Sequence, residues 1–295
     1  MKQLTVFTTT YNRAYLLPQL YNSLCGQSNP NFIWLVVDDG STDNTRELVA
    51  SWIRDAVLEI RYIYQDNQGM HGGHNTAYAN IETTWNTCID SDDYMPPNAV
   101  EIILEHIDGV GEGYAGFAGL DIDKNGNIIG SEFPEGLHES NLLDIYNKHH
   151  IKGDKKLVYK TAIVRKYPPY PLFKNENFVP LSYLYYLIDQ DYKLKLINKP
   201  LVVVEYQTDG STKNMLRQYR RNPRGFAFAR KSALTIGISL KDDFKNLVHI
   251  VSSFLFTKDL TMLRSLRKPL LLIIAIPFGV MLNIHVRMKT GNFSA

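Results

Sequence analysis

Trp85-Asn86-Thr87-Cys88-Ile89-Asp90-Ser91-Asp92-Asp93-Tyr94-Met95-Pro96-Pro97 changes character twice in a short space. An apolar, β-prone run over Trp85–Ile89 ends on three carboxylates, and Pro96-Pro97 then opens a helical pattern that reaches Ile107. Upstream the same handover recurs. Leu4–Phe7 leads through threonines to Tyr11-Asn12-Arg13, after which Leu16, Leu17, Leu20 and Leu24 recur at helical spacing. Phe32–Val37 ends on Asp38-Asp39-Gly40-Ser41, and Thr42-Asp43 can cap a helix that runs to about Arg54. Ile60–Tyr64 reads as a third strand, followed by a Gly-rich loop over Gln68–His74 and a short helix. Strand alternating with helix four times predicts an α/β fold with parallel strands and right-handed crossovers. Ligands of such sheets bind beyond the carboxyl ends of the strands. Thr8–Arg13, Asp38–Ser41 and Asp90–Asp93 all stand at those ends, so they converge in space although they are far apart in sequence.

Downstream the pattern is less regular. Gly113–Gly119 reads as a strand, Asp123–Asn127 as a hairpin turn, Asn177–Ile188 as a helix and Leu201–Tyr206 as a strand. Hydrophobic residues make up 44% and charged residues 21%, a globular balance that excludes a disordered chain. Cys25 and Cys88 match no metal spacing and no disulfide framework, and both lie in apolar patterns as core thiols. The N-terminus has no long apolar core with a cleavage site, so folding is expected to begin in the cytoplasm. The net charge of +2 hides an asymmetry. From Lys213 onward there are 15 Lys/Arg against 3 Asp/Glu, and before it 17 against 27. A basic end suits an anionic surface, and an acidic body suits a cation.

The acids at the strand ends suggest which cation. Two carboxylates two residues apart can point the same way and share Mg²⁺ or Mn²⁺, which prefer a few carboxylates plus phosphate oxygens and water. A metal held there neutralises a departing diphosphate. An acidic triplet alone is most often a solvated turn. Its place at a strand end, beside the second acidic pair Asp38-Asp39, separates this one from that reading.

Three stretches, Thr9-Thr10-Tyr11-Asn12-Arg13, Val37-Asp38-Asp39-Gly40-Ser41-Thr42-Asp43-Asn44-Thr45 and Ile89–Pro97, resemble the family 2 glycosyltransferases in order and spacing. Asn67-Gln68-Gly69 and Gly72-Gly73-His74-Asn75 resemble the middle segment of that family. The resemblance is close over residues 1–110 and looser to about 210. It implies the GT-A fold: a Rossmann-like, mostly parallel sheet flanked by helices. A nucleotide-sugar-binding half over 1–110 would be joined to an acceptor-binding half over 111–212, followed by a basic helical extension over 213–295. It implies that Tyr11 flanks the base, that Asp39 accepts a hydrogen bond from it, and that Asp90–Asp93 hold the ribose and the metal. Asp92 is the implied metal ligand, with Asp93 as the alternative. Thr9, Arg13, Gly69 and Ser91 fall in the implied nucleotide-sugar site. His74 falls either near the diphosphate or in a surface loop.

Members of the family typically invert the anomeric centre, a general base taking the proton of the acceptor hydroxyl. Aligned on the helix, the base position falls on Leu181, which cannot serve. Glu176 is the nearest acid and the expected base, with Asp189 and Asp191 past the helix as alternatives. Glu205-Tyr206 and Asp209-Gly210-Ser211-Thr212 resemble a recurring segment of bacterial polysaccharide members. Lys213–Lys231 then holds seven Lys/Arg and no acid. Pro269–Val286 carries no Lys, Arg, Asp or Glu and is interrupted by Pro277 and Gly279. Arg264, Arg267 and Lys268 precede it; Arg287 and Lys289 follow. Basic flanks on both sides favour a shallow, in-plane or re-entrant element, peripheral or monotopic at the cytoplasmic face of the inner membrane, over a clean span, and lipid phosphates over nucleic acid as the partner.

The expected activity is metal-dependent transfer of a sugar from a nucleotide diphosphate-sugar to a glycan or lipid-linked glycan. The alternatives are a nucleotide-binding subunit without catalysis and a sugar-phosphate nucleotidyltransferase. The latter usually carries a Gly-rich basic loop after the first strand, and Thr8–Arg13 has no glycine. The same absence argues against a dinucleotide dehydrogenase.

Overall fold

Strands β1 (Leu4–Thr10) and β2 (Phe32–Asp38) are buried along nearly their whole length, which suits strands covered on both faces. They pair in parallel, with Leu4 beside Phe32 and Thr10 beside Asp38. Strand β3 (Ile60–Tyr64) joins β2, and β4 (Trp85–Cys88) joins β1, both in parallel. The connecting helices are α1 (Leu17–Cys25), α2 (Thr45–Asp55) and α3 (Gly69–Asn80), and α4 (Ala99–Ile107) follows β4. Helix α1 buries all three of its leucines, Leu17, Leu20 and Leu24, and Leu16 stands at its N-cap. Beside them Tyr21 stacks on Trp52 of α2, ring centroids 4.2 Å apart. This computed structural model describes residues 2–205, 214–237, 239–264, 266 and 268–291.

The sheet continues with β5 (Tyr114–Ile122) and the short β6 (Glu139–Ser140), followed by α5 (Leu142–Asn147). Next come β7 (Lys155–Lys160), α6 (Thr161–Val164), α7 (Ser182–Ile188) and β8 (Lys193–Val203). The eight strands lie in the order β3-β2-β1-β4-β7-β5-β8-β6. The first four strands are parallel, as expected; β7 then runs antiparallel to both β4 and β5, and β8 parallel to β5. The Asp123–Asn127 turn is present, with Asp123 accepting the N–H groups of Asn125 and Asn127 and a bridge between Ile122 and Ile128.

Three boundaries differ from expectation. The Gly-rich segment after Gln68 is helical from Gly69 onward. Helix α7 begins at Ser182 rather than Asn177, because Pro180 biases the residue before it away from helical dihedrals. Strand β8 starts at Lys193, well before Leu201. Tyr206, Asp209–Thr212, Lys213 and Arg267 lie outside the described residues.

The chain forms two compact units. The first comprises residues 1–67, 73–169 and 187–207 and carries the sheet. The second comprises 68–72, 170–186 and 208–295. Its described part includes α8 (Met215–Arg221), α9 (Pro223–Ile236), α10 (Leu240–Thr257) and α11 (Pro269–Thr290), around a small core of Leu234, Leu247, Ile250 and Ala275. Both cysteines are unpaired and half-buried.

In the first unit α3 comes close to β1 at Gly73. A Cβ there would stand 2.7 Å from Thr9 Cγ2 and 3.1 Å from Thr9 Cβ. Gly73→Val should cost about 1–3 kcal/mol of stability through overpacking. Unfolding in urea measures it; an unchanged midpoint would mean that the helix can retreat from the strand.

Candidate active site

The carboxyl ends of β1 and β2 are tied together by side chains that the tight turns expose. Asn12 adopts a left-handed φ of 53°, a conformation asparagine tolerates, and Gly40 sits at φ 88°. Asn12 Oδ1 accepts the N–H of Thr42 at 2.7 Å, and Asn12 N–H donates to Ser41 Oγ at 2.9 Å. Asp43 accepts the N–H of Ala14 through one oxygen and that of Thr45 through the other, so it ties both loops and starts α2. Together these bonds leave Tyr11 at the rim with 48% of its surface exposed.

Asp38 and Asp39 divide their work. Asp38 is fully buried; it accepts Ser41 N–H at 2.8 Å and the Tyr62 hydroxyl at 2.6 Å, and so shapes the turn. Tyr62 is correspondingly held in its neutral form by burial and by that carboxylate. Asp39 receives Gln65 Nε2 at 2.6 Å, and its own N–H donates to Thr10 O. Gln65 is held in turn by Thr76 of α3. Sequence reasoning assigned no role to Asn12 or Gln65. Their signal is the amide side chain placed immediately after a strand.

At the end of β4, Asp90 is exposed, Ser91 and Asp93 are buried, and Asp92 is half-buried. Arg13 Nη1 donates to Asp92 Oδ2 at 3.1 Å, joining the β1 loop to the acidic loop. Asp93 accepts Glu205 N–H at 3.1 Å, which fastens the loop to the end of β8. Burial, then the charge of Asp90, raise the pKa of Asp92, against Arg13. The same two causes push Asp93 up to about 7, against Lys156. Lys156 of β7 donates to Cys88 O at 3.1 Å. Burial would lower its pKa, but Asp121, Asp90 and Asp93 win and raise it, so it stays an ammonium beside the acids. Sequence reasoning assigned no role to Lys156.

Asp92 and Asp93 each spend one oxygen on a protein donor, and the elevated pKa values report negative charge that the protein leaves partly unbalanced. Among the described residues no group of three or more His, Cys, Asp or Glu could hold a metal ion alone. The donor set fits an ion of the Mg²⁺ type, which takes one or two protein carboxylates and completes its shell with phosphate oxygens and water.

The other expected site residues have the following surroundings. His74 is fully buried within α3 rather than in a surface loop. Its ring packs edge-on against Phe7 at 5.0 Å, with Nδ1 3.4 Å from the Tyr78 hydroxyl and Nε2 3.6 Å from Cys88 Sγ. Gly69 belongs to the second unit, at φ 79°, where a Cβ would stand 1.9 Å from Asn177 O. Glu176, the expected base, is also in the second unit, with its side chain 4% exposed. Its two oxygens accept the N–H groups of Arg224 at 3.0 Å and Gly225 at 2.9 Å. It thus caps α9 from a distance in sequence. Burial raises its pKa, opposed by those two bonds. Asp189 likewise takes the N–H groups of Leu142 and Leu143 at the start of α5. Asp191 accepts the Tyr167 hydroxyl at 2.7 Å. Asp189 and Asp191 both precede the amino end of β8, which pairs with the amino end of β5, opposite to the strand ends that carry the acidic loop. Each of the three carboxylates thus accepts at least one protein donor.

The profile of the glycosyl transferase family 2 domain matches residues 5–167. An uncharacterized glycosyltransferase of Nostoc sp. is 32% identical over 103 residues, 35% of this chain and 32% of that protein. The GalNAc(5)-diNAcBac-PP-undecaprenol beta-1,3-glucosyltransferase of Campylobacter jejuni is 29% identical over 142 residues, 47% of this chain and 45% of that protein. The matched stretches thus span less than half the length of these relatives. Among solved structures, residues 1–349 of S. aureus TarS in complex with UDP-GlcNAc superpose with a TM-score of 0.60 at 17% identity, covering 99% of this chain and 93% of that one. At that identity the likeness concerns the fold.

Proposed function

The chain belongs to the family 2 glycosyltransferases and is a glycosyltransferase of GT-A fold, and from this we propose the following reaction. It transfers a sugar, with inversion, from a nucleoside diphosphate-sugar to a hydroxyl of a glycan or lipid-linked glycan in cell-surface polysaccharide synthesis, at the cytoplasmic face of the membrane. One observation carries the reading: the loops after β1, β2 and β4 are fastened into one rim by the Asn12–Thr42, Ala14–Asp43 and Arg13–Asp92 bonds.

On that rim the roles divide by chemistry. The exposed ring of Tyr11 flanks the base, and the carboxylate of Asp39, oriented by Gln65, accepts from its edge. Thr9 and Ser91 complete the floor of the nucleotide site. Arg13 spends one of its donors on Asp92, and its remaining donors address phosphate. Asp92, with Asp93, would hold Mg²⁺ or Mn²⁺, which supplies charge neutralisation at the departing diphosphate. A panel of nucleotide sugars with Mn²⁺, read as hydrolysis and as protection from thermal unfolding, tests the reading. Protection by at least one donor is expected; no protection by any would overturn it.

The Asp93 carboxyl, lifted to about 7, gives the panel a pH signature. The folded chain holds this proton more tightly than the unfolded chain, so the group stabilises the fold at low pH. That contribution is lost as pH rises from about 4 to about 7. A cation competes with the same proton. Mn²⁺-dependent nucleotide affinity should therefore climb between pH 5 and 7, by up to about tenfold per unit, and level off above. Titration calorimetry at several pH values reads it. Asp93→Asn should flatten the slope, and a wild type without slope would remove Asp93 from the cation site.

A further inference from the structure

Helix α11 is strongly apolar up to its basic last turn: its mean hydropathy is 2.1 over an 18-residue window, and no acid occurs in the sequence after Asp259. A helix of that kind belongs in a core or in lipid. Yet only one of its faces is covered. Ala275, Gly279, Asn283, Val286 and Thr290 are buried. They recur every three or four residues and form a single stripe. This stripe meets α10 along nearly its whole length. Gly279 fits against Val251, where a Cβ would stand 2.5 Å from the valine side chain. Asn283 Nδ2 donates to Ser252 O at 3.0 Å, and Arg287 Nη2 to Leu255 O at 3.2 Å. Lys268 at the start pairs with Asp243. The opposite face presents Leu270, Ile273, Ile274, Met281, Ile284 and Met288, all exposed.

We propose that α11 lies in the plane of an anionic lipid bilayer, with α10 on its cytoplasmic side and the Leu270–Met288 face immersed. The proposal rests on the membrane-side reading above and specifies how the chain is seated.

Length alone allows a different answer, since 22 residues rise about 33 Å and the hydrocarbon core measures about 30 Å. The packing decides between them. To stand upright, α11 would take α10 with it, since the two are bonded from Asp243–Lys268 to Leu255–Arg287. Helix α10 carries Lys241, Asp242, Asp243, Lys245, Asn246 and His249. Hydrocarbon does not accept such a surface. Lying flat puts the charged surface of α10 in water and Leu270, Ile274, Met281 and Met288, which share one side of α11, at similar depth.

Charge selects the occupant. The three acids after Lys213 are each ion-paired: Asp242 with Lys245, Asp243 with Lys268, and Asp259 with Arg224. The remaining Lys/Arg excess is uncompensated within that stretch, which suits anionic headgroups. A second copy offering the same face would instead bring the basic ends of two α11 helices together.

The test places single tryptophans on the full chain by Leu270→Trp, Ile274→Trp, Met281→Trp and Met288→Trp, and adds phosphatidylglycerol/phosphatidylcholine vesicles brominated at shallow or deep acyl positions. The native Trp34, Trp52 and Trp85 are buried in the first unit and give a constant background. All four introduced residues should be quenched alike, and most by shallow bromines. Deep quenching at positions 274 and 281 with shallow quenching at 270 and 288 would show a span and overturn the proposal. Absent quenching, with a dimer in solution, would overturn it in favour of a second copy. Ile274→Glu with Met281→Glu should reduce vesicle binding at least tenfold while leaving turnover of a water-soluble acceptor unchanged. If wild-type turnover is absent but the depth profile holds, the catalytic reading fails and the seating stands.

Discussion

Asp92→Ala is expected to reduce sugar transfer by about 10³-fold, the equivalent of about 4 kcal/mol of transition-state stabilisation. The carboxylate stands at the end of β4, half-buried, where the first carboxylate, Asp90, and the buried Asp93 add to the same negative field. Its loss removes a cation ligand where charge develops on the leaving diphosphate. The fold should survive. The Asp92 side chain pairs with Arg13, and both members of that pair keep roughly a quarter of their side-chain surface in water. A partly exposed pair contributes up to about 1 kcal/mol. Thermal unfolding and turnover should therefore separate cleanly in this variant. Full activity of Asp92→Ala, or of the wild type in excess chelator, would sink the metal role. Loss in Asp93→Ala alone would move the ligand one residue along.

Glu176→Ala is expected to destabilise the second unit by about 2–6 kcal/mol. The estimate takes about 1–3 kcal/mol for each donor stripped of its charged acceptor at the start of α9. Glu176→Gln should cost about half as much, because the amide oxygen can accept one of the two N–H groups while the amide nitrogen cannot accept the other. Neighbouring bonds limit any escape: Asn177 N–H donates to Asn222 Oδ1 at 2.8 Å, and a Cβ on Gly225 would stand 2.0 Å from Phe178 O. Urea unfolding of both variants, beside donor hydrolysis, is the measurement. If Glu176→Gln keeps its stability and loses 10²–10⁴-fold in rate, by the usual scale of a lost base, the residue is catalytic after all.

The first four strands were legible because each is an apolar run with a distinct polar terminus, and those termini became the rim. Strand β7 was not legible. Three lysines in Lys155–Lys160 interrupt the apolar pattern that marks the other strands. In the structure their ammonium groups are spent on carbonyls: Lys155 on those of Lys152, Gly153 and Asp154, Lys156 on Cys88, and Lys160 on Gly111. Composition cannot announce such bonds, since their acceptors are backbone atoms that have no letter in the sequence. Glu176 carries a related ambiguity. An acid near a helix start has the same letter whether it faces a substrate or caps a second helix many residues away. Helices α9 and α10 were hidden by the basic character of the region, which drew attention to charge rather than to the periodicity of Phe226, Ala229 and Ala233 or of Leu247, Ile250 and Val251.

Strand order also has a consequence during synthesis. On the ribosome β4 emerges with its partner β1 already present, but its other edge waits for β7, some seventy residues later. At about 5–20 residues per second that edge stays open for roughly 4–14 s. The nascent chain at that stage is a four-stranded parallel sheet with an unpaired border, a template for pairing with another chain. The wait before β7, rather than the finished protein, is therefore where a chaperone would be needed and where a stalled or truncated product would aggregate.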